Sequence, residues 1–184
     1  MAYNSTIITR KKQLKCGHFD FNFSGGNCRQ CATIASTKKR MDKVADREEE
    51  NGLPELIEIL DGIISKYVRI KAIGEDNLVG CYTCNTRLPY TELDCGHFVS
   101  RSCMFLRFDV DRNLRPQCVK CNRGMYGNIP VFGKRLNEEK EGLVELLMEE
   151  SNIVHKWSRH ELQNMIDEYT VKLVSLKKSK QLKS

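Results

Sequence analysis

Three Cys-x-x-Cys pairs, Cys28/Cys31, Cys81/Cys84 and Cys118/Cys121, set the terms on which this 184-residue chain can fold. Two cysteines at this spacing present their thiolates to one tetrahedral ion, and a structural zinc needs four such donors. The second and third pairs, with residues 85–117 between them, make a four-thiolate set. The first pair finds Cys16 and His18 upstream, across Gly25-Gly26, and Cys16, His18, Cys28 and Cys31 form a second set. In a blander version His18 only packs, and an outside ligand completes that site. So small a module cannot build an apolar core, and metal binding, worth about 10–16 kcal/mol apparent, would supply its folding energy. Cys95 and Cys103 stand outside the pairs and are expected to be free and packed.

Composition narrows the setting. The chain is 29% charged and 40% hydrophobic, with no apolar run near the ~20 residues of a membrane span. The N-terminus lacks the apolar stretch of a signal peptide, so a reducing, cytoplasmic setting is expected. The net charge is +6, unevenly spread: +4 over residues 1–50, −2 over 51–80, +5 over 81–135 and −1 over 136–184. The positive charge lies on the two cysteine modules and favours a polyanionic partner, with DNA the expected one.

The chain reads as four segments. Residues 1–35 hold a basic tail and the first zinc module. The charged stretch 36–53 is either a solvated helix or a linker. Residues 54–135 hold a helix and the zinc-stapled core, and residues 136–184 are helical. Leu56, Ile57, Leu60, Ile63, Ile64, Tyr67 and Val68 predict a helix from Pro54 to about Gly74. Leu136, Leu143, Val144, Leu146 and Leu147 predict one over 137–151. Ser158 and Glu161 form a capping box that opens a last helix through about 177, with Trp157 able to staple onto it. His155 and His160, beside that cap, are expected at the surface. Between the knuckles, 87–99 can make a hairpin, 104–116 reads as loop, and a short helix follows Cys121. Strands, knuckle and helix together predict an α+β fold: a zinc-stabilised ββα-metal unit flanked by helices.

The bracketed segment carries groups suited to phosphodiester hydrolysis. That reaction needs a base to activate water and a cation beside the leaving oxygen. His97 suits the first task near neutral pH. Asp94 and Asn122 offer the hard oxygen donors that Mg²⁺ or Mn²⁺ prefers. Asn113 can hold the imidazole or its strand through side-chain hydrogen bonds.

With these residues in place, the segment resembles the HNH (His-Me finger) nucleases, in which a strand histidine is the base, an asparagine orients it and one divalent metal bridges the scissile phosphate. DCGHFVSR, then LRFDVDRN, QCVKCN and GN, resembles more closely the NinG (Rap) recombination proteins of lambdoid phages. The cysteine-rich N-terminus and the VHKWSRHEL tail extend the likeness over most of the chain. The resemblance implies a structure-specific endonuclease acting on branched recombination intermediates such as Holliday junctions and D-loops. It places the base on His97, the orienting role on Asn113 and a metal-ligand role on Asn122. Two positions depart from the wider HNH pattern. Gly96 stands where Asp or His often binds metal, which passes that role to Asp94, and no histidine follows the knuckle. Asn128 is a further possible ligand.

Two other functions stay open on the sequence. CGHF occurs at both Cys16 and Cys95, so Cys95 and His97 could join Cys118 and Cys121 in a zinc site, making the chain a non-catalytic DNA-binding module. An HNH nicking enzyme without junction preference is the other. Arg101, Arg107, Arg112 and Arg115 are candidates to hold DNA phosphates, with Asp109 and Asp111 as competing partners. Two cuts in a four-way junction would suit a homodimer, and other recombination proteins are possible partners.

Overall fold

The computed structural model describes residues 12–20, 26–50 and 52–182. Most of the basic N-terminal tail, Gly25 of the Gly-Gly pair and the last two residues lie outside them. The described residues form five α-helices and three two-stranded antiparallel sheets, in two compact units that divide between residues 51 and 52.

In the first unit β1 (Lys12–Gln13) pairs with β2 (Phe19–Asp20), Lys12 opposite Asp20. The turn between them uses Gly17 at φ +81°. Helix α1 (Arg29–Glu50) follows at once and takes in most of the charged stretch that the sequence leaves between helix and linker. It contains neither Gly nor Pro and is rich in Ala, Lys, Arg and Glu, which favour helix intrinsically.

The second unit opens with α2 (Leu53–Lys71), with Pro54 in its first turn, where a missing N–H costs nothing. Its Leu60, Ile64 and Val68 are buried with Leu162 of α5 (Arg159–Ser179) and with Phe108, Val110 and Leu114. Tyr67 and Tyr169 meet edge to face, 5.5 Å between ring centres. Each such side chain contributes about 1.5–3 kcal/mol on full burial. The capping box of α5 is formed: Glu161 N–H donates to Ser158 Oγ (3.3 Å), and Ser158 N–H donates to Glu161 Oε2 (2.8 Å). Trp157 joins the same apolar cluster, and its Nε1–H donates to the Met104 carbonyl (3.0 Å). That placement draws His155 inward, its ring 4.3 Å from the indole, so His155 is half-buried rather than at the surface.

The strands pair differently from the sequence expectation. No hairpin forms within 87–99. Instead β4 (Arg87–Leu88) returns to β3 (Val79–Gly80) around the first knuckle. The knuckle turn forces this: Cys81 N–H donates to the Thr86 carbonyl (2.8 Å) and Asn85 N–H to the Cys81 carbonyl (3.0 Å). Pro89 then leads into a 3-10 turn at Tyr90–Glu92, which takes the chain out of register with β4. Strand β5 (Leu93–His97) pairs along its whole length with β6 (Leu114–Cys118), Asp94 opposite Gln117 and His97 opposite Leu114. Residues 114–116, expected as loop, are therefore strand. Pro116 is tolerated because a two-stranded sheet has only edges, and its carbonyl accepts from Tyr82 N–H (2.8 Å).

After β6 the chain makes one wide π turn over Lys120–Gly124, then α3 (Ile129–Glu139) and α4 (Leu143–Glu150). The single helix expected over 137–151 is two, because Lys140 is extended and Gly142 sits at φ +74°. A third apolar cluster joins Phe98, Val99 and Leu106 of the β5–β6 loop to Phe132, Leu136, Leu143 and Leu147. The loop is thus anchored by packing as well as by hydrogen bonds. Among the described residues no helix is long and apolar enough to cross a membrane.

Candidate active site and metal-binding clusters

The cysteines meet as their spacing requires. Cys16, His18, Cys28 and Cys31 form one group and Cys81, Cys84, Cys118 and Cys121 another, with all ligand atoms within 4.8 Å of one another in each. Around a tetrahedral zinc, thiolates lie about 3.8 Å apart and a thiolate and imidazole about 3.6 Å. Cys84 Sγ is 3.8 Å from Cys118 Sγ, and His18 Nδ1 is 3.6 and 3.4 Å from the Cys28 and Cys31 sulfurs. Both groups can hold a zinc ion. His18 belongs to its group, and Cys95 and His97 belong to neither, which removes the reading in which His97 is a structural ligand.

Acid–base behaviour fits that role. Burial opposes ionisation of Cys81, yet hydrogen bonds from the backbone at Cys118 and Thr83 bring it down to about 6. Cys121 is pushed up to about 12, mainly by burial. A divalent cation is what allows four neighbouring thiols to ionise together.

A separate cavity of about 470 Å³ opens beside β5. Asp94, Cys95 and His97 line it from the strand, Asp61 from α2, Arg101 from the loop, and Asn122 and Arg123 from the π turn. His97 Nε2 lies 3.2 Å from the Arg107 carbonyl. A carbonyl only accepts, so Nε2 carries the proton and the neutral ring keeps its lone pair on Nδ1. Burial, helped by the Arg101 charge, lowers the His97 pKa against smaller opposing effects from the Arg107 carbonyl, the Asp61 carboxylate and the Cys95 backbone. The imidazole is therefore neutral at physiological pH.

Asn113 does not touch the imidazole. It is fully buried and holds the loop that does: Oδ1 accepts from Val99 N–H (2.7 Å), and Nδ2 donates to the Val99 and Leu106 carbonyls (3.0 Å each). Arg107, whose carbonyl anchors His97, follows Leu106 directly. Asn113 is thus a positioning residue, one step removed from the cavity.

Asp94 and Asn122, the two residues expected to share a divalent cation, lie side by side. Asn122 Nδ2 donates to Asp94 Oδ2 at 3.0 Å, and Arg123 forks onto both carboxylate oxygens at 2.8 Å. Arg123 holds the Asp94 carboxyl below the usual range, so it is ionised. Asn128 lines a different cavity, beside Cys84 and Cys118. Gly96 has a local cause. A Cβ there would stand 2.1 Å from Gln117 Oε1, and Gln117 is fully buried, its Nε2 donating to Thr83 Oγ1 (3.1 Å) and the Gly127 carbonyl (2.7 Å).

The four candidate DNA-binding arginines divide. Arg107 is committed to Asp61 (3.2 and 2.5 Å), Arg112 to Asp109 (2.6 Å) and Glu150 (2.9 Å), and Arg115 to Glu139 (2.5 Å). Arg101 is 63% exposed, with its closest carboxylate, Asp61, at 3.9 Å. Asp61 is the residue that sequence reading passes over. Its signal was an acidic side chain on the apolar stripe of α2, between Leu60 and Ile64, where an unpaired carboxylate would be costly.

With this geometry in place, comparison with known proteins is informative. The family model described as "Bacteriophage Lambda NinG protein" matches residues 27–180. The chain belongs to the NinG family. The match takes in His97, the four-cysteine cluster and α5. The chain is 31% identical over 106 residues to protein ninG of Salmonella phage P22, covering 57% of this chain and 51% of the relative. It is 31% identical over 107 residues to protein ninG of Escherichia phage 933W (57% and 52%) and over 108 residues to that of Escherichia phage lambda (57% and 51%). The chain thus spans about half the length of the curated NinG relatives it matches. No solved structure matches.

Proposed function

We propose that the His97 cavity is a phosphodiester-cutting centre of HNH (His-Me finger) type and that the chain is a metal-dependent endonuclease selective for branched DNA. The observation that carries this reading is the anchored imidazole. His97, its Nε2 held on the Arg107 carbonyl, lines a cavity shared with an ionised carboxylate, Asp94, and its amide partner, Asn122. The succession of β5, β6 and the helical turns after the knuckle agrees with a ββα unit. Selectivity for branched recombination intermediates follows from the NinG resemblance.

In this reading His97 Nδ1 takes the proton of the attacking water, a step worth about 10²–10⁴-fold. Asn113 and Asp61 act through the loop: one fixes Val99 and Leu106, the other Arg107, and the Arg107 carbonyl keeps the imidazole aimed. Arg101, exposed and only loosely paired with Asp61, can meet a phosphate, and Arg123, 70% exposed, can exchange its carboxylate for one. Asp94 and Asn122 suit Mg²⁺ or Mn²⁺, hard cations that take one or two protein groups. Such an ion, when bound, supplies positive charge where the leaving oxygen becomes anionic. The zinc clusters hold structure, and the +5 charge of 81–135 favours the DNA backbone. Two cuts in one junction call for two centres. Val171 and Val174 of α5, 66% and 47% exposed, are the face on which two copies would associate. Other recombination proteins remain possible partners.

The test offers zinc-loaded protein labelled four-way junctions and matched linear duplex with Mg²⁺ or Mn²⁺. Junction cleavage that His97→Ala abolishes at constant zinc content is the expected result. Equal cleavage of linear duplex would reduce the reading to a nicking nuclease. Binding without cleavage in either metal would leave only a DNA-binding zinc protein.

A further inference from the structure

The backbone after the π turn does something rarely seen. Tyr126, Gly127 and Asn128 adopt φ of +49°, +84° and +46° in succession. Left-handed backbone is natural for glycine and accessible to asparagine, but for a bulky aromatic residue it costs free energy and marks a site of special demand. The turn is tied down on both sides. Met125 N–H donates to the Lys120 carbonyl (2.9 Å), Asn128 N–H to the Met125 carbonyl (2.8 Å), and buried Gln117 holds the Gly127 carbonyl (2.7 Å). Gln117 pairs in register with Asp94, so the turn is fixed to the strand pair that carries the cavity.

What this strained turn presents is the Tyr126 side chain, 89% exposed, next to Met125 at 46%. Burial cannot explain the strain. Two exposed cations precede it on the π turn: Lys120, and Arg123, whose guanidinium is forked onto Asp94. Asn122 and Arg123, four and three residues earlier, line the His97 cavity.

We propose that Tyr126 is a nucleobase-stacking subsite that reads an unpaired or junction-end base beside the scissile strand. Resting on the nuclease reading above, it deepens that reading by naming the feature of the substrate that is recognised. An exposed ring can stack only on a base whose face is open, and within an intact duplex every face is covered. Rigid presentation on a pinned turn lowers the ordering cost of that contact. The flanking cations suit a polyanion rather than a neutral protein surface.

The test uses full-length, zinc-loaded protein carrying His97→Ala, so that DNA stays intact, and a branched DNA with 2-aminopurine unpaired at the branch. Tyr126→Asn removes the ring while keeping a residue that tolerates the left-handed backbone. It is expected to weaken binding of the branched probe about 10-fold and abolish the 2-aminopurine fluorescence change. Tyr126→Phe should keep both, and linear-duplex affinity should move less than about 2-fold. Unchanged affinity and fluorescence in Tyr126→Asn would overturn the proposal. So would an equal loss on linear duplex, or a loss of self-association at unchanged DNA affinity, which would make Tyr126 a protein contact. No cleavage by the parent protein in Mg²⁺ or Mn²⁺ would refute the nuclease reading alone, because the stacking measurement needs no turnover.

Discussion

Gly96→Ala should be among the most damaging single-methyl additions to the second unit. The new Cβ would stand 2.1, 2.7 and 2.9 Å from Gln117 Oε1, Cδ and Cγ, so the whole side chain, not only its tip, must move. Gln117 cannot swing into solvent: it is fully buried, and its Nε2 bonds Thr83 Oγ1 and the Gly127 carbonyl. Overpacking costs about 1–3 kcal/mol. Leaving the buried groups unpaired adds about 1–3 kcal/mol. The expected destabilisation is therefore about 2–6 kcal/mol, against the 5–15 kcal/mol typical of a whole domain. Urea unfolding of the zinc-loaded protein, followed by circular dichroism, measures it. The decisive comparison is a double-mutant cycle. In a Gln117→Ala background the clash is gone, and the cost of Gly96→Ala should fall below about 1 kcal/mol. An equal cost in both backgrounds, or a cost under about 0.5 kcal/mol in the parent, would refute the account of why glycine precedes His97.

Four further outcomes are expected. Zinc content should be two per chain, falling to one in Cys84→Ser and one in Cys28→Ser, read by metal analysis of the purified variants. Lowered by burial, the His97 pKa makes the pH dependence one-sided. Above the ordinary imidazole value of about 6.5, His97 is neutral both folded and unfolded and adds nothing to the pH dependence. As pH falls below it the unfolded chain binds the proton first, so stability drops until the lower folded pKa is passed; cleavage should therefore persist below pH 6.5 and fail only on a more acidic limb. Asp61→Asn loosens the Arg107 fork and should cost about 1.5–3 kcal/mol in unfolding free energy and slow cleavage, with zinc content unchanged. Asn113→Ala strands the Val99 N–H and the Val99 and Leu106 carbonyls and should cost about 3–5 kcal/mol, with cleavage lost alongside native dispersion of the loop in NMR spectra.

What could be read in the sequence was local. Cys-x-x-Cys spacing and the nearby Cys16 and His18 identified both metal clusters because ligand spacing survives into geometry unchanged. The stripe of α2 and the capping box of α5 were legible because helical period and cap chemistry act within a few residues. What stayed hidden depends on distant partners. The mate of β5 is β6, brought in across a long loop, and the nearer candidate at 87–88 loses because the knuckle turn claims it for β3. Arg107, Arg112 and Arg115 look like phosphate contacts until Asp61, Glu150 and Glu139 arrive from other helices. Gly96 looks like a missing ligand until Gln117 is seen lying over it.

Trp157 is the chain's only tryptophan, and it is half-buried with its Nε1–H on the Met104 carbonyl and its ring 5.9 Å from Phe108. Those contacts lie on either side of Arg107, the residue whose carbonyl aims His97. The indole is therefore a built-in optical gauge of that loop. Any event that shifts the loop, whether DNA binding or a substitution at Asp61, should change its emission wavelength without an added label.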